Sequence, residues 1–231
     1  MRAPTTHVLI DLDGTISNSE PGIGRSLIHA FTECGYPAPD AETIRSLIGP
    51  PFELSFPTVG IDVHDVPDVI AAYRRRYDDA GWLETEIYDG APETRDGLRS
   101  AGHTLSIATA KPEALAHRIL DHFELSHHFA VRAGASELPG SDRRTKGEVI
   151  AHALDQLRVG RHDRIALDHV IMLGDRNHDV EGAHLHGIDC IGVSWGFGTN
   201  EELDAAGVRM IVDHPRDVVA GVAAIYRSRE P

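Results

Sequence analysis

Five short apolar runs, at residues 7–10, 104–108, 170–173, 190–193 and 210–212, restrict this chain to few folds. From Tyr88 onward such runs alternate with stretches of helical periodicity. In residues 112–123, for example, Pro112 sits in the first turn and Leu115, Ile119 and Phe123 recur on one face. Runs this short and this apolar read as strands buried on both faces, and their alternation with helices reads as a doubly wound, parallel α/β sheet. The first run belongs to the same sheet but stands far ahead of the next. Between them the pattern is helical: Ile23, Leu27, Ile28 and Phe31 share a face, Asp40 begins a segment that reaches Ile48, and a third segment spans residues 66–77. The expectation is a sheet core made of residues 1–15 and 87–231, interrupted by an all-helical insertion over residues 16–86.

At 231 residues the chain is long enough for one sizeable core with a small second domain. Acidic residues exceed basic ones by 14 and no long Lys/Arg run exists, so no nucleic-acid partner is expected. Arg74, Arg75 and Arg76 turn about 100° apiece on a helix and read as a solvated face. Cys34 and Cys190 form no CxxC pair, which points to a reducing, cytoplasmic setting. The run Val8 to Ile10 is too short for a signal peptide or a membrane span, so no membrane partner is expected. The 22 basic residues comprise 20 arginines and two lysines, Lys111 and Lys146, and both lysines lie in candidate motifs. Lysine kept at two places in an arginine-rich chain suggests that a compact ammonium is needed there.

The first apolar run leads straight into Asp11-Leu12-Asp13-Gly14-Thr15. Two carboxylates one residue apart at the carboxyl end of a strand lie where open α/β sheets place their ligands, and they fit a nucleophile, Asp11, with an acid/base partner, Asp13. The 104–108 run leads to Thr109-Ala110-Lys111-Pro112, a strand end entering a helix, where the Thr109 hydroxyl and the amides from Ala110 onward can hold a phosphoryl oxygen. Lys146 falls at the start of a helix, a poor place for a positive charge on dipole grounds, so an anionic site is expected to hold it. Lys111 competes for that role but follows Thr109 closely in sequence. Residues 170–173 deliver Gly174-Asp175 and, four residues on, Asp179. Four carboxylates converging from Asp11, Asp13, Asp175 and Asp179 would repel strongly without a cation, so a bound cation is expected. His178, His184 and His186 lack the i, i+4 histidine pair of a helical zinc site and read as surface or second-layer groups. Trp195 and Phe197 read as packing residues or as lining of the pocket mouth.

These four stretches, in this order, resemble the four motifs of the haloacid dehalogenase superfamily, and the resemblance covers essentially the whole chain. It implies a Rossmann-like core with a helical cap after the first motif. It also implies attack on phosphorus by Asp11, protonation of the leaving oxygen by Asp13, a phosphate grip from Thr109 and Ala110, charge offset by Lys146, and Mg²⁺ held by Asp11, Asp13 and Asp175, with Asp179 binding or orienting it. Within the superfamily the chain looks most like the phosphoglycolate phosphatase branch, on residues 11–15, 48–52, 109–112 and 174–179. Its implied activity is hydrolysis of a small phosphorylated metabolite through an aspartyl-phosphate, by a monomer or homodimer. A 5′-nucleotidase or a phosphotyrosine-type phosphatase is the alternative, and a β-phosphoglucomutase-like mutase stands further off. Asp13 counts against dehalogenation, and the length and insertion count against a signalling receiver domain. Asn18 replaces an aspartate common among relatives, and Arg25 and Arg45 are surface residues or contacts for a substrate anion.

Overall fold

The computed structural model describes residues 6–138, 141–157 and 166–229. It divides into two compact units, residues 1–16 with 88–231, and residues 17–87. In chain order the strands are β1 (His7–Ile10), β2 (Ser17–Asn18), β3 (Glu86–Ile87), β4 (Thr104–Pro112), β5 (Arg132–Ala135), β6 (Val170–Gly174), β7 (Asp189–Val193) and β8 (Met210–Val212). The helices are α1 (Glu20–Glu33), α2 (Ala41–Leu47), α3 (Phe52–Ser55), α4 (Val66–Asp79), α5 (Ala91–Ser100), α6 (Glu113–His122), α7 (Lys146–Gln156), α8 (Asn177–His184), α9 (Asn200–Ala205) and α10 (Val218–Arg229).

The first unit is built on a six-stranded sheet of order β5-β4-β1-β6-β7-β8, parallel throughout. β1 lies between β4 and β6, with Ile10 level with Ile107 on one side and Leu173 on the other. All residues of β1 and β6 are buried, as central strands covered on both faces must be. One apolar cluster joins Leu9, Met172 and Cys190 of the sheet to Val149, Ile150 and Ala153 of α7 and to Val180 and Ala183 of α8. This packing brings the carboxyl ends of β1, β4 and β6 side by side.

Two features depart from the sequence pattern. β5 was not among the five apolar runs: its Arg-Ala-Gly-Ala sequence has little bulk, which an edge strand tolerates because one side has no strand to pack against. β4 runs through to Pro112, so Thr109 lies inside the strand and does not cap a helix. Proline disfavours helical backbone at the residue before it, which keeps Lys111 extended and delays the helix to Glu113.

In the second unit, Asp40 caps α2 by accepting from the Thr43 amide, and Asn18 Oδ1 accepts from the Glu20 amide where α1 starts. β2 and β3 add a short antiparallel ribbon to the helices. Its apolar interior contains an aromatic cluster: Phe52 stacks on Phe56 at 4.6 Å and meets Tyr73 edge-on at 4.7 Å, while Tyr73 stacks on Tyr77 at 5.3 Å. Gly22 permits α1 to approach Gly81, since a Cβ there would sit 2.0 Å from the Gly81 carbonyl oxygen. Arg76 binds Glu84 and the Ser26 hydroxyl, and Arg75 pairs with Glu33, so arginines expected on a solvated face are tied to neighbours.

Candidate active site

Asp11, Thr109, Lys146, Asp175 and Asp179 are each positioned by the end of a sheet strand or the start of a helix that follows one. Asp11 follows β1 directly, and its amide donates to the Leu173 carbonyl at 2.9 Å, which extends the sheet by one bond. Asp175 follows β6 and is fully buried. Asp179 stands in the first turn of α8, where its Oδ2 accepts from the amides of Asp175 and Arg176, both at 3.1 Å. Lys146 opens α7, and a capping box of Thr145 with Glu148 sets that helix start.

Lys146 Nζ lies 2.7 Å from Asp11 Oδ1 and 2.7 Å from Asp179 Oδ1, and it donates to the Ala108 carbonyl at 3.0 Å. An ammonium at a helix N-terminus is thus held by two carboxylates and a strand carbonyl. Burial alone would lower its proton affinity, but Asp11 and Asp179 outweigh that and hold its pKa above the ordinary lysine value. Burial pushes the Asp11 carboxyl up to about 6, against the pull of Lys146. Burial also drives Asp175 well above the usual carboxylate range, and Asp179 and Asp11 add to the effect.

Thr109 is buried, and its Oγ1 accepts from the Lys111 amide at 3.2 Å; Ala110 between them is partly exposed. Lys111, which sequence reasoning passed over in favour of Lys146, donates from Nζ to Asp13 Oδ2 at 2.8 Å. Both lysines of the chain therefore sit here, one against each carboxylate of the first motif.

A second group, around Trp195 and Phe197, holds Asp175 in a way the sequence does not announce. The Phe197 amide donates to Asp175 Oδ2 at 2.7 Å, and the Trp195 indole donates to the Thr15 carbonyl at 3.2 Å. A Cβ on Gly196 would lie 2.3 Å from the Asp175 Cβ, and one on Gly198 would lie 2.1 Å from the Asp175 carbonyl oxygen. On the other side, Gly14 has φ +84 and a Cβ there would fall 2.1 Å from Asp175 Oδ2. Glycines two apart just after a strand were the available signal for this backbone cradle. By contrast, His186 Nε2 meets the Gly147 carbonyl at 2.8 Å, and the possible metal-holding cluster found among the described residues contains carboxylates only.

Asp11, Asp175 and Asp179 can each place one oxygen so that all three lie within 4.8 Å of one another, and all three are buried. Three buried carboxylates facing one ammonium leave negative charge in excess, and an oxygen-only donor set suits a hard divalent cation. Both Asp179 oxygens already have partners, whereas Asp175 Oδ1 has only a long 3.4 Å contact from the Thr15 hydroxyl. The residues fit a cation on that evidence, with Asp11 and Asp175 better placed to ligate than Asp179.

A parallel sheet with acidic groups and lysines gathered at the carboxyl ends of its central strands defines an α/β enzyme built for an anionic substrate. Comparison narrows the class. The model of the haloacid dehalogenase-like hydrolase family matches residues 8–193. A 5′-nucleotidase of Pseudomonas aeruginosa is 40% identical over 200 residues, 86% of this chain and 87% of that protein. The tyrosine-protein kinase PtkA of Mycobacterium tuberculosis is 38% identical over 204 residues, 88% of this chain and 67% of that protein. The crystal structure of a predicted phosphatase from Clostridium acetobutylicum superposes with TM-score 0.86 at 32% identity, covering 96% of this chain and all of that one. The chain belongs to the haloacid dehalogenase-like hydrolase family and is an enzyme of its phosphatase type.

Proposed function

We propose that this enzyme is a Mg²⁺-dependent phosphomonoester hydrolase that works through a phosphorylated Asp11 on a small phosphorylated metabolite. The observation that carries the reading is the pairing of Asp11 and Asp13 with separate buried lysines at 2.7 and 2.8 Å. In the first half, an Asp11 oxygen bonds to phosphorus while the ester P–O bond breaks, and Asp13 supplies a proton to the departing oxygen. In the second half, water attacks the phosphorus, the bond to Asp11 breaks with its electron pair returning to the carboxylate, and Asp13 takes the water proton. The Thr109 hydroxyl and the Ala110 amide grip the phosphoryl oxygens, and Lys146 offsets their charge. Asp11, Asp175 and the Asp13 carbonyl would hold Mg²⁺, with Asp179 binding or orienting it, and the ion would supply further charge neutralisation at the phosphoryl group. Residues 17–87 act as the cap, and the work is done in the cytoplasm by a monomer or homodimer.

Phosphoglycolate was the expectation from the motifs, but a phosphoglycolate phosphatase of Pseudomonas putida is only 26% identical, whereas the 5′-nucleotidase relative reaches 40%. The stronger likeness favours a nucleoside 5′-monophosphate as substrate. The test is phosphate release from 5′-nucleotides, phosphoglycolate, phosphotyrosine and hexose phosphates, with Mg²⁺ or with chelator. Release that needs Mg²⁺ and is fastest with a 5′-nucleotide supports the reading. Isomerised hexose phosphate without phosphate release would replace it with a mutase.

A further inference from the structure

We propose that Lys111 is the positioning residue for Asp13 in the hydrolytic half of the reaction: its ammonium holds Oδ2 of the carboxylate and leaves Oδ1 as the oxygen that takes the proton of the attacking water. The inference rests on the phosphatase reading above and adds to it a residue and an atom. The two side chains lie 98 positions apart in sequence, yet Nζ and Oδ2 meet at 2.8 Å with only 5% and 15% of the side chains exposed. Asp13 Oδ1 is buried and has no hydrogen-bond partner among the described residues. One oxygen is therefore held and the other kept free, an arrangement that is costly unless something is to be bound there.

The backbone around Lys111 is built to aim it. Pro112 keeps Lys111 extended, the β4–β5 register shifts between Ala108 and Pro112, and Gly134 lets the neighbouring strand come close, since a Cβ there would sit 2.8 Å from the Lys111 carbonyl oxygen. The Lys111 amide also donates to the Thr109 hydroxyl oxygen at 3.2 Å, which leaves the Thr109 proton to point elsewhere. The same residue thus orients a phosphate-gripping hydroxyl through its main chain and an acid/base carboxylate through its side chain. A compact ammonium suits a contact to one oxygen, whereas the planar fork of arginine would tend to engage both. Lysine stands here in a chain that otherwise uses arginine, Lys146 excepted.

In the step concerned, the water oxygen bonds to phosphorus, the P–O bond to Asp11 breaks with its electron pair going to Asp11, and the water proton passes to Asp13 Oδ1. Rapid-quench kinetics with p-nitrophenyl phosphate and Mg²⁺ isolates it, because p-nitrophenolate leaves without needing a proton. Lys111→Met should release a burst of p-nitrophenolate approaching one per enzyme, followed by turnover about 10- to 100-fold slower than wild type, with KM falling alongside kcat. Lys111→Arg should recover part of the loss. In an Asp13→Asn background, Lys111→Met should cost less than about two-fold more, since the two act as a unit. No burst with a raised KM, or losses that multiply with those of Asp13→Asn, would overturn the proposal and make Lys111 a direct phosphate ligand; unchanged turnover would overturn it outright. If Lys111→Met does not fold, Lys111→Gln takes its place with the same expected outcomes. Wild-type protein that releases no p-nitrophenolate and gains no covalent phosphate by mass would instead overturn the phosphatase reading, and the inference with it.

Discussion

The two units handle charge in opposite ways. In the helical unit, ion pairs join arginines to carboxylates at the surface, as in Arg25 with Glu84 and Arg45 with Glu20, each arginine side chain 61% exposed, or at its edge, as in Arg76 with Glu84. The interior there is apolar, from Leu27 and Val69 to Phe56 and Tyr77. In the sheet unit, charge is carried inward: Asp11, Asp175, Asp179, Lys111 and Lys146 are all buried. Water screens the first set and contributes little through it, whereas the second set is costly to desolvate and stands only because each charge meets a partner or awaits one. Arg25 and Arg45, the candidates for contact with a substrate anion, are engaged by glutamates of their own unit. A stabilising role and a chemical role thus leave different marks, exposed pairs in one unit and buried, over-charged clusters in the other.

The comparison breaks most sharply at Asp11. Asp11→Asn should lower phosphate release at least about 10⁴-fold, as loss of a nucleophile does. Its thermal midpoint at pH 7.5 without metal should not fall, because the change removes a buried charge that burial disfavours while Lys146 keeps Asp179. A large drop in the midpoint would show that the buried cluster is a stabilising feature after all.

Gly196→Ala tests the same contrast through the backbone. Its methyl would collide with Asp175, so about 2–3 kcal/mol of stability and roughly 10²-fold in activity should be lost. Gly35→Ala in the helical unit meets nothing within 4 Å and should cost about 1 kcal/mol, from its positive φ alone. Urea denaturation and turnover of both variants would check this, and equal costs would erase the distinction.

His7 is a buried group with no chemical role, and it sharpens the comparison within the sheet unit. Neither ring nitrogen has a hydrogen-bond partner, and burial lowers its pKa to about 4. The unfolded chain takes up a proton near pH 6.5 while the folded chain does so only near 4, so acidification across that window favours unfolding by up to roughly 3 kcal/mol; above pH 6.5 the effect is absent. His7→Leu should therefore lose less stability than wild type between pH 7.5 and 4.5 in urea titrations. Parallel losses would exclude His7 as the source. The smallest effect is expected at the surface: Arg45→Ala should change stability by less than about 1 kcal/mol, a difference that high salt should shrink further.

Much of this was legible in one dimension because the information is local. A buried central strand must be apolar along its length, so β1, β6 and β7 announce themselves, and ligand groups at their carboxyl ends follow directly, as with Asp11 and Asp175. A cap is equally local: Asp40 acts on an amide three residues away. β5 was hidden because an edge strand can be short of bulk. The end of β4 was misplaced because Pro112 reads as a helix start while also extending the residue before it.

The sequence by itself determined that carboxylates and a lysine would gather at the ends of parallel strands, since strand, turn and helix start are each written in a few consecutive residues. Only the tertiary structure decided which lysine serves which aspartate, and that the loop at Gly196 and Phe197 holds Asp175. Those choices depend on strand order, on the reach of side chains across neighbouring strands, and on the space left where a Cβ is missing, and such distances between remote segments exist only once the sheet has formed.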